Sequence, residues 1–150
     1  MKRLFALSII LALSLLILSG CVRDTTATQN VGSPTASEPN QVQIDETDFK
    51  IASSITTFTP GTTYHFIVTN NGRIAHEFMI LPKSTGIMSG MSMDAMDKMA
   101  LAKAENIAPN QTVTLEYTFA RSAAGSHPEF ACYYPGHYEA GMKQDVVVRS

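Results

Sequence analysis

The chain has 150 residues, of which 45% are hydrophobic and 16% are charged, and its formal net charge at pH 7 is −2. A chain of this length has room for one folded domain of ordinary size once any targeting segment is set aside. The slightly acidic balance, without a basic run, argues against nucleic acid as a partner.

Residues 1–20 have the organisation of an export signal. Lys2 and Arg3 precede an apolar stretch of roughly 15 residues, a length typical of a signal-peptide core and short for a spanning helix. An uncleaved membrane anchor is the alternative. The quartet LSGC, ending at Cys21, resembles the lipobox of bacterial lipoproteins, in which the cysteine becomes the lipidated first residue. We therefore expect an extracytoplasmic protein, lipid-anchored to the cell membrane or to the outer membrane facing the periplasm.

Residues 21–40 are rich in Thr, Ser, Pro, Asn and Gln and poor in large apolar side chains. Such a composition cannot bury enough surface to offset the entropy of ordering, so the segment is predicted to be a lipidated N-terminus and flexible linker. The folded domain is predicted over residues 41–150, which is long enough for a proper core. A disulfide between Cys21 and Cys132 is the simple expectation for an exported protein with two cysteines. Lipidation of Cys21 would instead leave Cys132 as an unpaired thiol.

Short segments of alternating polarity predict β-strands along this domain. The clearest is residues 111–119 (QTVTLEYTF), in which large apolar side chains alternate with polar ones. Residues 62–69 follow the turn pair Pro60-Gly61 and are rich in β-branched and aromatic side chains. Further strands are predicted over residues 42–51, 75–81, 129–133 and 145–149. Many short strands without a βαβ pattern predict an all-β sandwich or barrel.

One segment departs from the strand pattern. Residues 92–104 (SMDAMDKMALAKA) consist of good helix formers without Gly or Pro, and Ser89 or Ser92 is placed to cap a helix there. We expect a short helix inserted between strands.

The C-terminal stretch FACYYPGHYEAGM combines a thiol, an imidazole and a thioether at Cys132, His137 and Met142. Two His and one Cys in a trigonal arrangement, with a weak axial Met, form the ligand set of blue-copper sites, so a second imidazole must come from elsewhere. His76, in NGRIAHEFMI, is the best candidate because its strand could pair beside the strand that leads to Cys132. The sequence thus predicts one copper ion per domain, bound by His76, Cys132, His137 and Met142.

Taken singly, each of these residues has a simpler structural interpretation as a core or surface side chain. Their joint occurrence at this spacing favours a metal site, and the thioether favours copper over zinc. His65 alternates with core positions, and His127 precedes Cys132 too closely on the same strand to converge with it. Neither is predicted to be a ligand.

These motifs resemble the cupredoxin family, which includes plastocyanin, azurin and rusticyanin. The resemblance implies a Greek-key β-sandwich or barrel with a short inserted helix. It also implies that His76, Cys132 and His137 are equatorial ligands, that Met142 is axial, and that the backbone N–H of Glu77 donates to the Cys132 sulfur. Many small cupredoxins have Asn or a small polar residue at this last position, so Glu77 departs from them.

Methionines crowd the segment before and within the predicted helix. Packing of a helical stripe on the core explains Met93, Met96 and Met99. It leaves Met88 and Met91 unexplained, because they lie in a Gly/Ser-rich loop. Thioethers suit Cu(I), so a secondary Cu(I) site formed by these five methionines is a second hypothesis.

The favoured function is one-electron transfer at a mononuclear type 1 copper site. The alternative is copper handling, as a chaperone or in sequestration or tolerance, with the same site and the methionine segment. A metal-free adhesion or scaffold domain fits the ligand set poorly. The sequence shows neither a nucleophile elbow nor a third residue that would orient a base, so we do not expect an enzyme. The expected partners are a redox protein, or a copper donor or acceptor protein, and the membrane through the lipid anchor.

Overall fold

The structure of the chain is a computed structural model, and it describes residues 39–82 and 91–150. The predictions for residues 1–38, including the signal peptide and the lipidation of Cys21, lie outside the described residues. So does Met88 of the methionine segment. Within the two described ranges, no helix is long and apolar enough to cross a bilayer.

The described residues form ten strands, one short α-helix and a single 3-10 turn at Arg121–Ala123. In chain order the strands and the helix are β1 Gln41–Thr47, β2 Lys50–Ser53, β3 Thr57–Phe58, β4 Thr63–Asn70, β5 His76–Leu81, α1 Met93–Met99, β6 Ala102–Ile107, β7 Thr112–Thr118, β8 Glu129–Ala131, β9 Lys143–Asp145 and β10 Val147–Val148. The strand predictions for residues 62–69, 75–81 and 111–119 are confirmed to within two residues.

Two four-stranded sheets build the fold. The first has the order β2-β1-β4-β7, in which β1 and β4 run parallel and the other neighbours are antiparallel. The second has the order β6-β5-β8-β9 and is antiparallel throughout. A short parallel pair of β3 and β10 forms a third, two-stranded sheet. All six residues of β5 are buried, so this strand lies in the middle of its sheet.

Aromatic side chains from both sheets meet in one core. The Phe58 ring lies 4.9 Å from that of Phe119 and 5.7 Å from that of Phe130, and Phe66 lies 5.6 Å from Phe130, between ring centroids. Offset and edge-to-face ring contacts at these distances stabilise the core beyond the area that they bury. The two sheets pack face to face without closing on each other, so the expected β-sandwich is confirmed and the barrel is not formed.

The prediction of a single strand over residues 42–51 is wrong, because these residues form a hairpin. β1 and β2 pair antiparallel and reverse at Asp48 and Phe49, where Phe49 adopts φ 67°. A left-handed conformation is costly for a bulky residue. The apolar pattern shifts here, from the even positions of Val42 and Ile44 to the odd positions of Phe49 and Ile51, and that shift is the signal in the sequence that a single strand overlooks.

The helix prediction is half right. Ser92 caps α1, since its Oγ accepts a hydrogen bond from the Ala95 N–H at 3.3 Å. The helix ends at Met99, however, and Ala102–Ala104 belong to β6, where Ala102 pairs with Ile80 of β5. Helix propensity is a weak preference, and pairing with a buried strand overrides it here.

Candidate metal centre

The second sheet places two of the predicted ligands at neighbouring positions. His76 is the first residue of β5, and Cys132 follows the last residue of β8. The two strands pair antiparallel through Met79 and Ala131. Because one strand begins where the other ends, His76 and Cys132 meet at the same edge of the sheet.

A tight loop returns the chain from Cys132 to the same edge. The His137 N–H donates to the Tyr134 carbonyl at 2.8 Å, and Gly136 between them adopts φ 84°, a left-handed conformation that glycine tolerates. The Met142 N–H then donates to the His137 carbonyl at 3.0 Å. The Cys132 N–H donates to the Met142 carbonyl at 3.1 Å. These backbone bonds hold the loop closed without help from a metal.

His76, Cys132 and His137 bring one donor atom each within 4.8 Å of one another, and all three are buried. The two Nδ1 atoms lie 3.2 Å apart, and the Cys132 Sγ lies 3.2 Å from the His137 Nδ1. Bonds of about 2.0–2.3 Å to a shared ion would place such atoms about 3.3–3.8 Å apart. Two imidazoles and one thiol at this spacing therefore fit a single copper ion.

Burial sets the protonation of these donors. It raises the pKa of the Cys132 thiol to about 11, against the lowering effect of the Glu77 N–H on the sulfur. It also lowers the pKa of His76 and of His137. The ion-free site therefore holds a neutral thiol and neutral imidazoles near pH 7, and metal binding must displace the thiol proton.

No family model matches the chain. Its fold is similar to that of the dithionite-reduced auracyanin of Roseiflexus castenholzii, with a TM-score of 0.59 and 18% identity over 74% of this chain and 98% of that one. Auracyanin A of Chloroflexus aurantiacus, described as a blue copper protein, gives 0.57 and 19% over 73% and 98%. An azurin of Methylomonas sp. strain J gives 0.54 and 14% over 75% and 99%. The domain has the cupredoxin fold.

Two curated relatives carry the name copper-resistant cuproprotein CopI. The protein of Rubrivivax gelatinosus is 38% identical over 89 residues, which are 59% of this chain and 53% of that protein. The protein of Pseudomonas aeruginosa is 24% identical over 59% of this chain and 65% of its own length. The chain thus spans less than two thirds of the length of each.

Glu77 links the two strands that lead to His76 and Cys132. Its N–H donates to the Cys132 Sγ at 3.5 Å, as the family resemblance implied. Its side chain, which is fully buried, does more than the sequence indicated: Oε1 accepts the Tyr133 N–H at 2.8 Å. One residue therefore fixes both the thiol and the chain segment that follows it.

Behind His76 lies a second group that the sequence did not reveal. The His76 Nε2 is buried and has no hydrogen-bond partner among the described residues. It lies 3.7 Å from the Asp48 Oδ1, an electrostatic rather than a hydrogen-bonding distance. Arg73 holds Asp48 with its N–H and its Nε, each at 2.8 Å, and these bonds lower the pKa of Asp48. A Cβ atom on Gly72 would lie 2.6 Å from the Asp48 Oδ1 and 2.8 Å from the His76 Nε2. Only glycine leaves room for this contact.

Met142, His65 and His127 lie in three different environments. Met142 is fully buried in the same core cluster as Cys132, and its axial role stays a prediction. His65 lies on the exposed face of β4, where its Nδ1 is 3.5 Å from the Glu116 carboxylate. His127 lines a surface cavity of about 570 Å³. Neither histidine belongs to the group of three donor atoms in the described part of the chain.

The methionine segment packs only in part. Met96 is buried in a second apolar cluster with Met79, and Met91 and Met93 pack against that cluster. Met99 is 38% exposed and does not join the expected stripe. Packing therefore accounts for Met91, which the sequence pattern left unexplained. It also adds Met79, a buried thioether on β5 that the sequence analysis did not count.

Proposed function

We propose that the cupredoxin domain binds one copper ion through His76, Cys132, His137 and Met142 and uses it for one-electron transfer without catalytic turnover. The observation that supports this proposal best is the close approach of three buried donors that backbone hydrogen bonds already hold in place. A thiolate and a thioether suit Cu(I), and imidazole suits copper in both states. A site fixed in advance keeps reorganisation small when the oxidation state changes.

His137 gives the proposed site its route to a partner. It is 8% exposed, whereas His76, Cys132 and Met142 are fully buried. The ring of Phe49, itself 44% exposed, lies 5.4 Å from the His137 ring in an edge-on contact. We propose that a redox protein docks over this ring edge.

A titration of the full-length chain with Cu(II) tests the proposal. We expect one equivalent to bind and to produce an intense visible absorption from thiolate-to-copper charge transfer. Copper bound elsewhere on the surface would give no such band. A colourless Cu(II) adduct would therefore contradict the blue-copper assignment.

Replacement of Met142 tests its axial role. Met142→Leu removes a weak thioether donor at nearly constant volume, which disfavours Cu(II) more than Cu(I) and raises the reduction potential. A tenfold loss of Cu(II) affinity relative to Cu(I) corresponds to about 59 mV for a one-electron couple, and we expect a shift of that order. Voltammetry measures it, and retention of the visible band serves as the control. An unchanged potential would assign the axial position to another group.

The second candidate function is copper handling. The relatives named copper-resistant cuproprotein favour it. So does the clustering of Met91, Met93 and Met96 with Met79, which lies on the same strand as His76. We propose that these thioethers, with Met88 and Met99, offer Cu(I) a second binding surface. A copper donor or acceptor protein would then be the partner.

A Cu(I) titration separates the two candidates. If the methionine segment binds copper, the reduced protein takes up more than one equivalent under anaerobic competition with a Cu(I) chelator. Replacing Met88, Met91, Met93, Met96 and Met99 by Leu should return the value to one. Leu conserves volume and helix propensity, so folding should be retained, and an unchanged Cu(II) spectrum checks this. A value of one in both proteins would leave electron transfer as the function.

We also propose that the protein is an extracytoplasmic lipoprotein, anchored to the membrane through Cys21. The support is the sequence: a basic start, an apolar core and the LSGC quartet. An anchor of this kind would keep the copper domain near membrane-bound partners.

A further inference from the structure

Three carboxylates converge at the Glu77 side chain. They come from three separate elements: Glu77 from β5, Asp97 from α1 and Glu105 from β6. One oxygen of each lies within 4.8 Å of one oxygen of each of the others. The cluster therefore depends on the fold and not on a local run of acidic residues.

One cation of the chain already contacts this cluster. The Lys103 Nζ lies 2.8 Å from the Asp97 Oδ2 and 3.0 Å from the Glu105 Oε1. The Glu77 Oε2 and the Asp97 Oδ1 remain buried and without a hydrogen-bond partner within the described part of the chain. A buried carboxylate oxygen that lacks a partner loses its hydration and gains nothing in return. The cluster thus offers two oxygens to a further ligand.

We propose that Glu77, Asp97 and Glu105 form a second metal site, which binds a hard divalent cation such as Ca²⁺ or Mn²⁺. Three oxygens no more than 4.8 Å apart all lie within about 2.8 Å of a common point, close to the 2.3–2.6 Å of Ca²⁺–oxygen bonds. Water can complete the coordination on the exposed side, where Glu105 lies. An all-oxygen set suits hard cations and is a poor match for Cu(I).

The burial of Glu77 distinguishes this site from a group of surface acids. The residue is fully buried, and the Tyr133 N–H holds its Oε1 at 2.8 Å, which orients the carboxylate before any cation arrives. The nitrogen and sulfur donors of the copper centre belong to other residues. The chemistry of the donors therefore directs soft and hard ions to separate places a single residue apart along β5.

Lys103 competes for the same oxygens. Its side chain is 30% exposed, so the ammonium is able to turn out to solvent when a cation enters. Removing it should leave two carboxylates without their counter-ion and so strengthen cation binding. Tighter cation binding on loss of Lys103 would distinguish a metal site from a purely structural ion pair, in which the same loss only weakens the fold.

Titration of the full-length protein with Mn²⁺, followed by the electron paramagnetic resonance of the free ion, tests the proposal. The protein is loaded with Cu(I), which gives no resonance of its own. We expect one Mn²⁺ per chain. Asp97→Asn and Glu105→Gln should each weaken binding about tenfold or more, because affinity in such sites follows the number of charged ligands. Lys103→Gln should tighten it. Glu139→Gln, which makes the same chemical change at an exposed position outside the cluster, should leave it unchanged.

Two results would overturn the proposal: no Mn²⁺ bound by either the wild type or Lys103→Gln, or equal binding in all the variants. The substitutions avoid Glu77, whose loss would also disturb the copper site. The metal-free protein gives an independent arm. There Asp97→Asn should again weaken Mn²⁺ binding about tenfold or more while Cys132→Ser should leave it unchanged, so failure of the copper proposal is distinguishable from failure of this one.

Discussion

Replacement of Cys132 by serine is expected to remove the intense visible band of the Cu(II) protein completely. The band requires charge transfer from a thiolate, and a serine hydroxyl cannot supply it. Cys132 is fully buried, and its Sγ lies 3.2 Å from the His137 Nδ1, so no other thiol is near enough to take its place among the described residues. Visible absorption of the full-length protein with one equivalent of Cu(II) measures the effect.

Cys21→Ser provides the matched control, because it makes the same atomic change at the other cysteine of the chain. It should leave the band intact. Far-ultraviolet circular dichroism should show that Cys132→Ser keeps its sheets, since serine is close in size to cysteine. If the band survives in Cys132→Ser, or is lost in Cys21→Ser, Cys132 is not the thiolate ligand of copper.

Glu46 should make the stability of the copper-free protein strongly dependent on pH. Its side chain is fully buried on the inner face of β1, and neither carboxylate oxygen has a hydrogen-bond partner in the described residues. Burial, and then the charge of Glu77, raise the pKa of Glu46 from 4.5 to about 8. The folded state thus binds a proton that the unfolded state has released, and stability falls as pH rises from 4.5 to about 8. A shift of this size corresponds to roughly 4–5 kcal/mol.

Glu46→Gln should remove this dependence, because the amide has nearly the same shape and no charge. We expect the variant to be more stable than the wild type at pH 8.5 and similar to it at pH 5, as measured by urea unfolding. Glu116→Gln, on the exposed face of β7, should follow the wild type at both values. Equal pH profiles for Glu46→Gln and the wild type would show that Glu46 does not carry the effect.

The candidate donor residues of the C-terminal loop could be identified in the sequence because their arrangement is local. Cys132, His137 and Met142 follow one another through a turn whose Pro-Gly pair is visible in the sequence, and backbone bonds within that loop fix them. His76 required a further inference about strand pairing, which the register of β5 with β8 supports. The family resemblance supplied the hydrogen bond from Glu77 to Cys132.

The surroundings of the site could not be predicted because they depend on contacts between distant segments. Asp48 reaches His76 only because the hairpin of β1 and β2 turns at residues 48–49, and no Gly or Pro marks that turn in the sequence. Glu77, Asp97 and Glu105 come together only because α1 ends at Met99 and the chain then returns as β6 beside β5. Helix propensity predicted a helix that continues to residue 104, and such a helix would have kept Glu105 away from Glu77.

The order of the candidate donor residues along the chain determines at what stage of synthesis the set is complete. His76 precedes His137 by 61 positions, and the C-terminal strand β10 pairs in parallel with the early strand β3 through Val147 and Thr57. Because synthesis runs from the N-terminus, the strand that carries His76 is made long before the loop that completes the donor set. Pairings between such distant segments also form slowly. The proposed donor set is therefore complete only after Met142 has been synthesised and the strands have paired, so we expect copper capture to follow folding.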